Sequence, residues 1–163
     1  MDHLPIFLDI RGRKVLVDGG GTAAARRAER ALDCGALVTV CDPAPGPDLS
    51  ALAGHAALTL CPRPAEAGDL DGCAVAWGAS GDAERDARLS GWCRTAGVLC
   101  NVADMPEQCD FITPSVVDRS PVVVAVSTGG TAPVIARILR ARIEEIPAHL
   151  DWSNQGRNLP WKN

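Results

Sequence analysis

The chain has 163 residues, of which 47% are apolar and 22% charged, and its net charge is −4. This composition is typical of a globular protein with room for one domain and an appendage. The acidic balance argues against general nucleic-acid binding. No apolar run approaches the roughly 20 residues that cross a membrane, and the first residues do not resemble a signal peptide, so we expect a cytoplasmic protein with no membrane partner.

Seven cysteines are scattered along the chain, and no two of them have the two-to-four-residue separation of a zinc ribbon. Their number is odd and several lie in apolar runs, which favours reduced thiols in a core over disulfides. We therefore predict no metal site.

The strongest motif is a strand, a tight turn and a helix near the start of the chain. An apolar run at residues 15–17 stops at three glycines, and an alanine-rich helical segment follows at residues 23–32. The spacing of Gly19, Gly21 and Ala24 fits the dinucleotide fingerprint, in which a pyrophosphate lies at a helix N-terminus. We predict that Gly19 and Gly21 bind the cofactor, although glycine clusters also form ordinary turns.

A second predicted strand, at residues 36–40, is followed by Asp42 and Pro43. Asp42 comes 21 positions after Gly21, close to the roughly 20 at which an acidic residue takes the ribose 2′-hydroxyl of NAD. No arginine stands at this strand end in the sequence, so NAD is favoured over NADP, with Asp42 and Pro43 in its site. The alternative is that Asp-Pro only opens a turn.

Strands and helices then alternate as in a parallel, doubly wound sheet. We predict strands at residues 57–61, 73–77 and 98–103 and a helix at residues 83–96, with residues 4–10 packed as an edge. Ligands of such sheets bind at the carboxyl ends of the strands.

The pattern changes after residue 110. Two β-rich runs, 111–117 and 122–127, are joined without a helix, which predicts an antiparallel hairpin. An amphipathic helix at residues 134–146 and a polar tail follow. We therefore predict three regions: an NAD-binding Rossmann-type domain (1–112), a second region (113–150) and a tail (151–163).

Two groups of residues remain as candidates for chemistry. Asp104 follows a strand and is either a general base beside a nicotinamide or the acidic residue of a turn. Arginines gather on the first helix and late in the chain, where they either bind a polyanion or form solvated faces. These arginines are Arg26, Arg27 and Arg30, then Arg119, Arg137, Arg140 and Arg142.

Six segments, which occur in order within about residues 1–147, resemble the N-terminal module of the siroheme synthase family. The standalone precorrin-2 dehydrogenase/sirohydrochlorin ferrochelatase is similar. The segments are residues 1–7, 17–21, 100–104, 111–115, 118–121 and 124–133.

The resemblance implies an enzyme that oxidises precorrin-2 to sirohydrochlorin with NAD, and that in many members then inserts Fe²⁺ to give siroheme. It implies a Rossmann-type domain followed by a hairpin and helical dimerisation region, here shortened, and hence a homodimer. By the same resemblance Asp104 serves both reactions, and residues 127–133 line the tetrapyrrole pocket. The resemblance also implies that the loop from Gly19 to Ala23, with Thr22 and Ala23 in it, holds NAD. The implied substrate-binding residues are Asn101, Ser127, Thr128, Gly129, Gly130, Pro133 and Arg137.

One departure from the family pattern is Trp77, where a bulky side chain precedes the loop at residues 78–82 and is expected to crowd the cofactor. Two other functions stay open at this point. The first is a tetrapyrrole-binding or metal-delivery protein that lacks hydride transfer, and the second is an NAD-sensing regulator.

Overall fold

The structure, a computed structural model, describes residues 2–129 and 132–146. The described chain divides into two compact units: Leu4–Phe111 forms one, and the described residues from Ile112 onward form the other together with Asp2 and His3. The predicted tail at residues 151–163 and Gly130 lie outside the described residues.

The unit Leu4–Phe111 contains a five-stranded parallel sheet with strand order β3-β2-β1-β4-β5. Its strands are β1 (Lys14–Asp18), β2 (Leu37–Cys41), β3 (Leu58–Cys61), β4 (Cys73–Gly78) and β5 (Leu99–Val102). The helices between them are α1 (Thr22–Asp33), α2 (Pro47–Leu52) and α3 (Ala83–Ala96). Strand order reverses between β1 and β4, which is where ligands bind in open α/β sheets.

The side chains of β1 explain why the sheet is covered on both faces. Val15 and Val17 pack into a cluster with the alanines of α1, whereas Leu16 packs with Leu89 and Cys93 of α3 on the other face. Successive side chains of a strand point to opposite faces, so one apolar run fills two cores. The small side chains of α1 allow that helix to lie close to the strands.

The second unit contains the hairpin and the last described helix. The strands β6 (Ser115–Arg119) and β7 (Val122–Val126) pair antiparallel, and α4 (Pro133–Glu144) packs against them. Arg119 Nη2 donates a hydrogen bond to the carbonyl oxygen of Glu144, at 2.9 Å. One face of α4 leaves four large apolar side chains exposed: Val134, Ile135, Ile138 and Leu139.

The α/β fold class and the hairpin are confirmed, but two predicted segments are wrong. Residues 4–10 form no strand, and Leu4 and Phe7 are exposed there. The hairpin begins at Ser115 rather than at residue 111 because the chain before it is tied to β5: Asp110 N–H donates to Cys100 O at 2.8 Å.

We expect the N-terminal cap of α3 to contribute measurably to stability. Asp82 Oδ1 accepts hydrogen bonds from Glu84 N (2.9 Å) and Arg85 N (3.1 Å). Asp82→Ala should therefore lower the free energy of unfolding by about 1 kcal/mol in urea titrations. Asp82→Asn is the matched control, because an asparagine oxygen can also cap; an alanine variant as stable as the parent would contradict the assignment.

Candidate functional site

The turn after β1 requires glycine for two separate reasons. Gly19 has a φ of +142°, a backbone conformation that side chains disfavour, and a Cβ there would collide with the carbonyl of Ala79. Its N–H donates to Cys41 O at 2.9 Å. Gly19 therefore lets three segments of backbone meet at the carboxyl edge of the sheet.

The N-terminus of α1 is open toward this edge. Gly21 is its N-cap residue and supplies no side-chain hydrogen bond to the first turn, and no atom lies within 4 Å of a Cβ built at Gly21. The N–H groups of a helix's first turn attract anions. The loop has the geometry that a dinucleotide pyrophosphate requires, and the cofactor roles of Gly19, Gly21 and Ala23 stay predictions. Thr22 points its hydroxyl elsewhere and donates to Asp48 Oδ2 at 2.7 Å.

Asp42 lies against the glycine turn, because a Cβ on Gly20 would be 2.5 Å from its Oδ1. The same oxygen accepts a hydrogen bond from Ala44 N at 2.9 Å, which spans Pro43 and forms the turn that the Asp-Pro pair indicated. Asp42 is only 8% exposed. Its role as a ribose ligand, and that of Pro43 beside it, stay predictions.

Arg85 is the residue of this edge that sequence reasoning missed. It belongs to the first turn of α3, and its guanidinium reaches the ends of both β1 and β2. Two of its nitrogens bind the Asp18 carboxylate, at 2.6 and 3.0 Å, and Nη1 donates to Asp42 Oδ2 at 3.1 Å. Burial works to lower the pKa of Arg85, but the bonds and charges of Asp18 and Asp42 raise it above its ordinary value.

Asp104 follows β5 at the same edge of the sheet. Its side chain is exposed, and its φ of +60° is the only positive value of a non-glycine residue in the described chain. Aspartate and asparagine tolerate this conformation better than most residues. Asn101, two strands from β1, is buried, and its Nδ2 donates to Phe111 O at 2.8 Å.

Arg27 on α1 is half-buried and its charge interacts with that of Asp104. Burial lowers the pKa of Arg27, and the negative charge of Asp104 opposes that shift. Its Nη1 donates to Ala23 O at 3.1 Å, while its buried Nε has no hydrogen-bond partner among the described residues. Arg27 is thus a basic side chain with unused donor capacity near the predicted catalytic residue.

Trp77 packs beside the core of the α1 face and meets Phe111 edge-on, with ring centroids 5.8 Å apart. It does not come within 4 Å of a Cβ at Gly21. The crowding expected from Trp77 is therefore not found at the open end of α1.

The remaining predicted substrate residues belong to the second unit. Ser127 Oγ accepts a hydrogen bond from Gly129 N at 3.1 Å, and Thr128 Oγ1 accepts one from Ala132 N at 3.2 Å, so the two hydroxyls organise this loop. Arg137 is exposed on α4. Pro133 is the first residue of that helix, and Gly130 lies outside the described residues.

The described residues contain no group of three His, Cys, Asp or Glu side chains that could hold a metal ion. They also contain no helix long and apolar enough to span a bilayer. The cysteines are free, and Cys109 takes a packing role: Asn101 and Val102 contact its sulfur, and burial raises the pKa of its thiol.

The parallel sheet, the glycine turn and the open helix N-terminus define a Rossmann-type dinucleotide-binding protein. Family comparisons agree: residues 6–115 match the family described as "Putative NAD(P)-binding". Residues 119–146 match "Sirohaem biosynthesis protein central". The first match supports NAD as the cofactor.

Siroheme synthases of Escherichia coli O1:K1 / APEC and of Escherichia fergusonii are each 45% identical to this chain over 151 residues. The alignments cover 92% of this chain and 33% of each relative. By the match over residues 6–115, the chain belongs to the family described as "Putative NAD(P)-binding". It is similar to these siroheme synthases over about a third of their length.

A solved structure described as "SirC, precorrin-2 dehydrogenase" shares the fold, with a TM-score of 0.69. Its sequence is 24% identical, and the superposition covers 87% of this chain and 70% of that one.

We expect Gly21→Asp to abolish NAD binding without harming the fold. The site around Gly21 is sterically open, and aspartate is a good N-cap residue, but its carboxylate would take the anion's place at the helix N-terminus. Calorimetric titration should show affinity falling about 100-fold or more, roughly 2.8 kcal/mol. Gly54→Asp, another open glycine, is the control for added charge; unchanged affinity in the Gly21 variant would remove the cofactor assignment.

Proposed function

We propose that this chain is an NAD-dependent precorrin-2 dehydrogenase, which oxidises precorrin-2 to sirohydrochlorin. The observation that carries the proposal is that the open N-terminus of α1 and the exposed Asp104 lie at the same, carboxyl edge of the sheet, beyond the ends of β1 and β5. The similarity to siroheme synthases, and the match of residues 119–146 to "Sirohaem biosynthesis protein central", support this substrate class.

The residues at this edge suit NAD in three ways. The uncapped N–H groups of α1 would bind the pyrophosphate, Gly21 leaves room for it, and Asp42 would accept the ribose hydroxyls. When bound, NAD supplies the acceptor for the hydride that leaves the substrate.

Asp104 would act as the base of the reaction. Dehydrogenation removes a proton as well as a hydride, and an exposed carboxylate at this edge can accept that proton. The left-handed backbone conformation of Asp104 fixes the direction in which its side chain leaves the main chain. Arg27, whose charge interacts with that of Asp104, would add a positive charge that attracts the carboxylates of the tetrapyrrole.

The family resemblance supports a role for further residues in tetrapyrrole binding. The loop of Ser127, Thr128 and Gly129 carries hydroxyl groups, and Gly130 and Pro133 complete the stretch that resembles a pocket lining. Arg137 is exposed and adds a positive charge. Asn101 of the unit Leu4–Phe111 is proposed on the same resemblance, and its amide nitrogen donates a hydrogen bond to Phe111 O.

Insertion of Fe²⁺ into sirohydrochlorin is the second activity we propose. Metal entry displaces protons from the ring, so a single carboxylate such as Asp104 could assist both reactions. In this scheme Fe²⁺ is a substrate, and the same assay series can measure its insertion into the ring.

We also propose a cytoplasmic homodimer. The thiols of the described residues are unpaired, as is usual in a reducing compartment. Helix α4 exposes Val134, Ile135, Ile138 and Leu139 on one face, and apolar faces of this kind mark association surfaces.

We expect Asp104→Asn to lower NADH formation from precorrin-2 by about 100-fold or more, because the variant loses the base. Asparagine tolerates the left-handed backbone of residue 104, so the unfolding midpoint should stay unchanged. Iron insertion, followed by absorption, should fall together with dehydrogenation.

Glu107→Gln is the matched control, since Glu107 is an exposed carboxylate in the same loop. If Asp104 is only a turn residue, the asparagine variant keeps full turnover, and Asp104→Ala loses roughly 1 kcal/mol of stability through backbone strain. That result would remove the catalytic role.

We expect Ile138→Glu to dissociate the dimer, because it places a charge in the middle of the exposed apolar face of α4. Sedimentation velocity should show monomer at concentrations where the parent is a dimer. Arg137→Ala is the control: it also changes the net charge by −1 but removes no apolar side chain. A parent that sediments as a monomer would overturn the proposal.

A further inference from the structure

Two cysteines lie side by side at the carboxyl ends of β2 and β3. Cys41 and Cys61 are the last residues of these strands and are partners in the parallel register. Adjacent strands lie about 4.8 Å apart, which falls within the roughly 4.4–6.8 Å between Cα atoms that a disulfide can bridge. Both side chains pack in the cluster on the α3 face of the sheet, so they point the same way. Both thiols are free.

The two thiols differ in their access to solvent. Cys41 is fully buried, whereas Cys61 is only partly buried. Burial raises the pKa of the Cys41 thiol, and the charge of Asp69, whose Oδ2 lies 3.9 Å from Cys41 Sγ, raises it further, as does the neighbouring Cys61 thiol. Cys41 therefore stays protonated, and Cys61 is the thiol that an oxidant can reach.

We propose that Cys41 and Cys61 form a thiol pair that a peroxide oxidises reversibly to a disulfide. The Cys61 sulfur attacks one peroxide oxygen, the O–O bond breaks, and water leaves with the Cys61 proton, which gives a sulfenic acid. The Cys41 sulfur then attacks the Cys61 sulfur, the S–O bond breaks, and the departing hydroxide takes the Cys41 proton. In total the two thiols lose two electrons, and hydrogen peroxide becomes two molecules of water.

This disulfide would form directly before the residue that ends the β2 corner of the sheet. Cys41 O accepts the N–H of Gly19 at 2.9 Å, and Cys61 O accepts the N–H of Asp42 at 3.0 Å. Hydrogen bonds thus already hold the backbone on both sides, and oxidation would add a covalent link at the corner from which Asp42 extends. The inference is independent of the proposed function, because it requires neither a dinucleotide nor a tetrapyrrole.

Treatment of the reduced full chain with a small molar excess of hydrogen peroxide tests the inference. We expect two of the seven thiols to be lost, with a mass decrease of about 2 Da that dithiothreitol reverses. Once the remaining thiols are alkylated, cleavage before aspartates separates residues 33–41 from residues 48–68. Mass spectrometry without reduction should find these two peptides joined.

Variants assign the bond, because the peptide 33–41 also contains the exposed Cys34. Cys41→Ala and Cys61→Ser should each abolish the joined peptides. Cys61→Ser changes a partly buried position and keeps the test valid if Cys41→Ala does not fold. Cys34→Ser is the matched control and should leave the joined peptides unchanged.

Three results would overturn the inference. The first is a parent chain that keeps all its thiols, and the second is oxidation of Cys61 to a sulfinic acid with no joined peptides. The third is a different assignment of the bond, in which the joined peptides persist in a folded Cys41 or Cys61 variant, disappear in the Cys34 variant, or are replaced by another pair.

Discussion

One buried carboxylate joins four segments of the Rossmann-type unit. Asp18 ends the central strand, its oxygens bind Arg85 of α3, and its Oδ1 also accepts the N–H of Ala65 at 2.9 Å. Arg85 continues the network to Asp42 after β2. Burying Asp18 is tolerable only because Arg85 neutralises it, and loss of one partner of such a pair typically costs about 3–5 kcal/mol. The structure of the carboxyl edge of the sheet thus depends on the balance between the charges of Asp18, Arg85 and Asp42.

Local pattern was sufficient to predict most of this fold. Alternating apolar runs and helices indicated the parallel sheet, the missing helix after residue 110 indicated the hairpin, and the glycine spacing located the turn at Gly19. Arg85 could not be found in this way, because it lies 67 positions from Asp18 and 43 from Asp42. Only the packing of α3 against the sheet brings the charges of Asp18, Asp42 and Arg85 together. From the sequence alone, Arg85 cannot be told from an ordinary solvated arginine.

The candidate site shows the same division between what local sequence specifies and what packing adds. A strand end and a resemblance suffice to select Asp104 and Asn101. Neither predicts the left-handed backbone of Asp104 or the bond from Asn101 to Phe111 O. The prediction that residues 4–10 pack as an edge was wrong for a related reason. Their apolar side chains indicate burial, yet Leu4 and Phe7 are exposed in the described chain.

The two glycines of the fingerprint are required for different reasons, one for folding and one for cofactor binding. The two positions are therefore expected to evolve differently. Gly19 is required by its own backbone and by the Ala79 carbonyl, whatever the ligand. Gly21 has free space around it, so only the anion proposed to bind there requires glycine at this position. A descendant that no longer bound a dinucleotide would therefore keep glycine at position 19 but could accept other residues at position 21. Substitution of Gly21 alone would then indicate that dinucleotide binding had been lost.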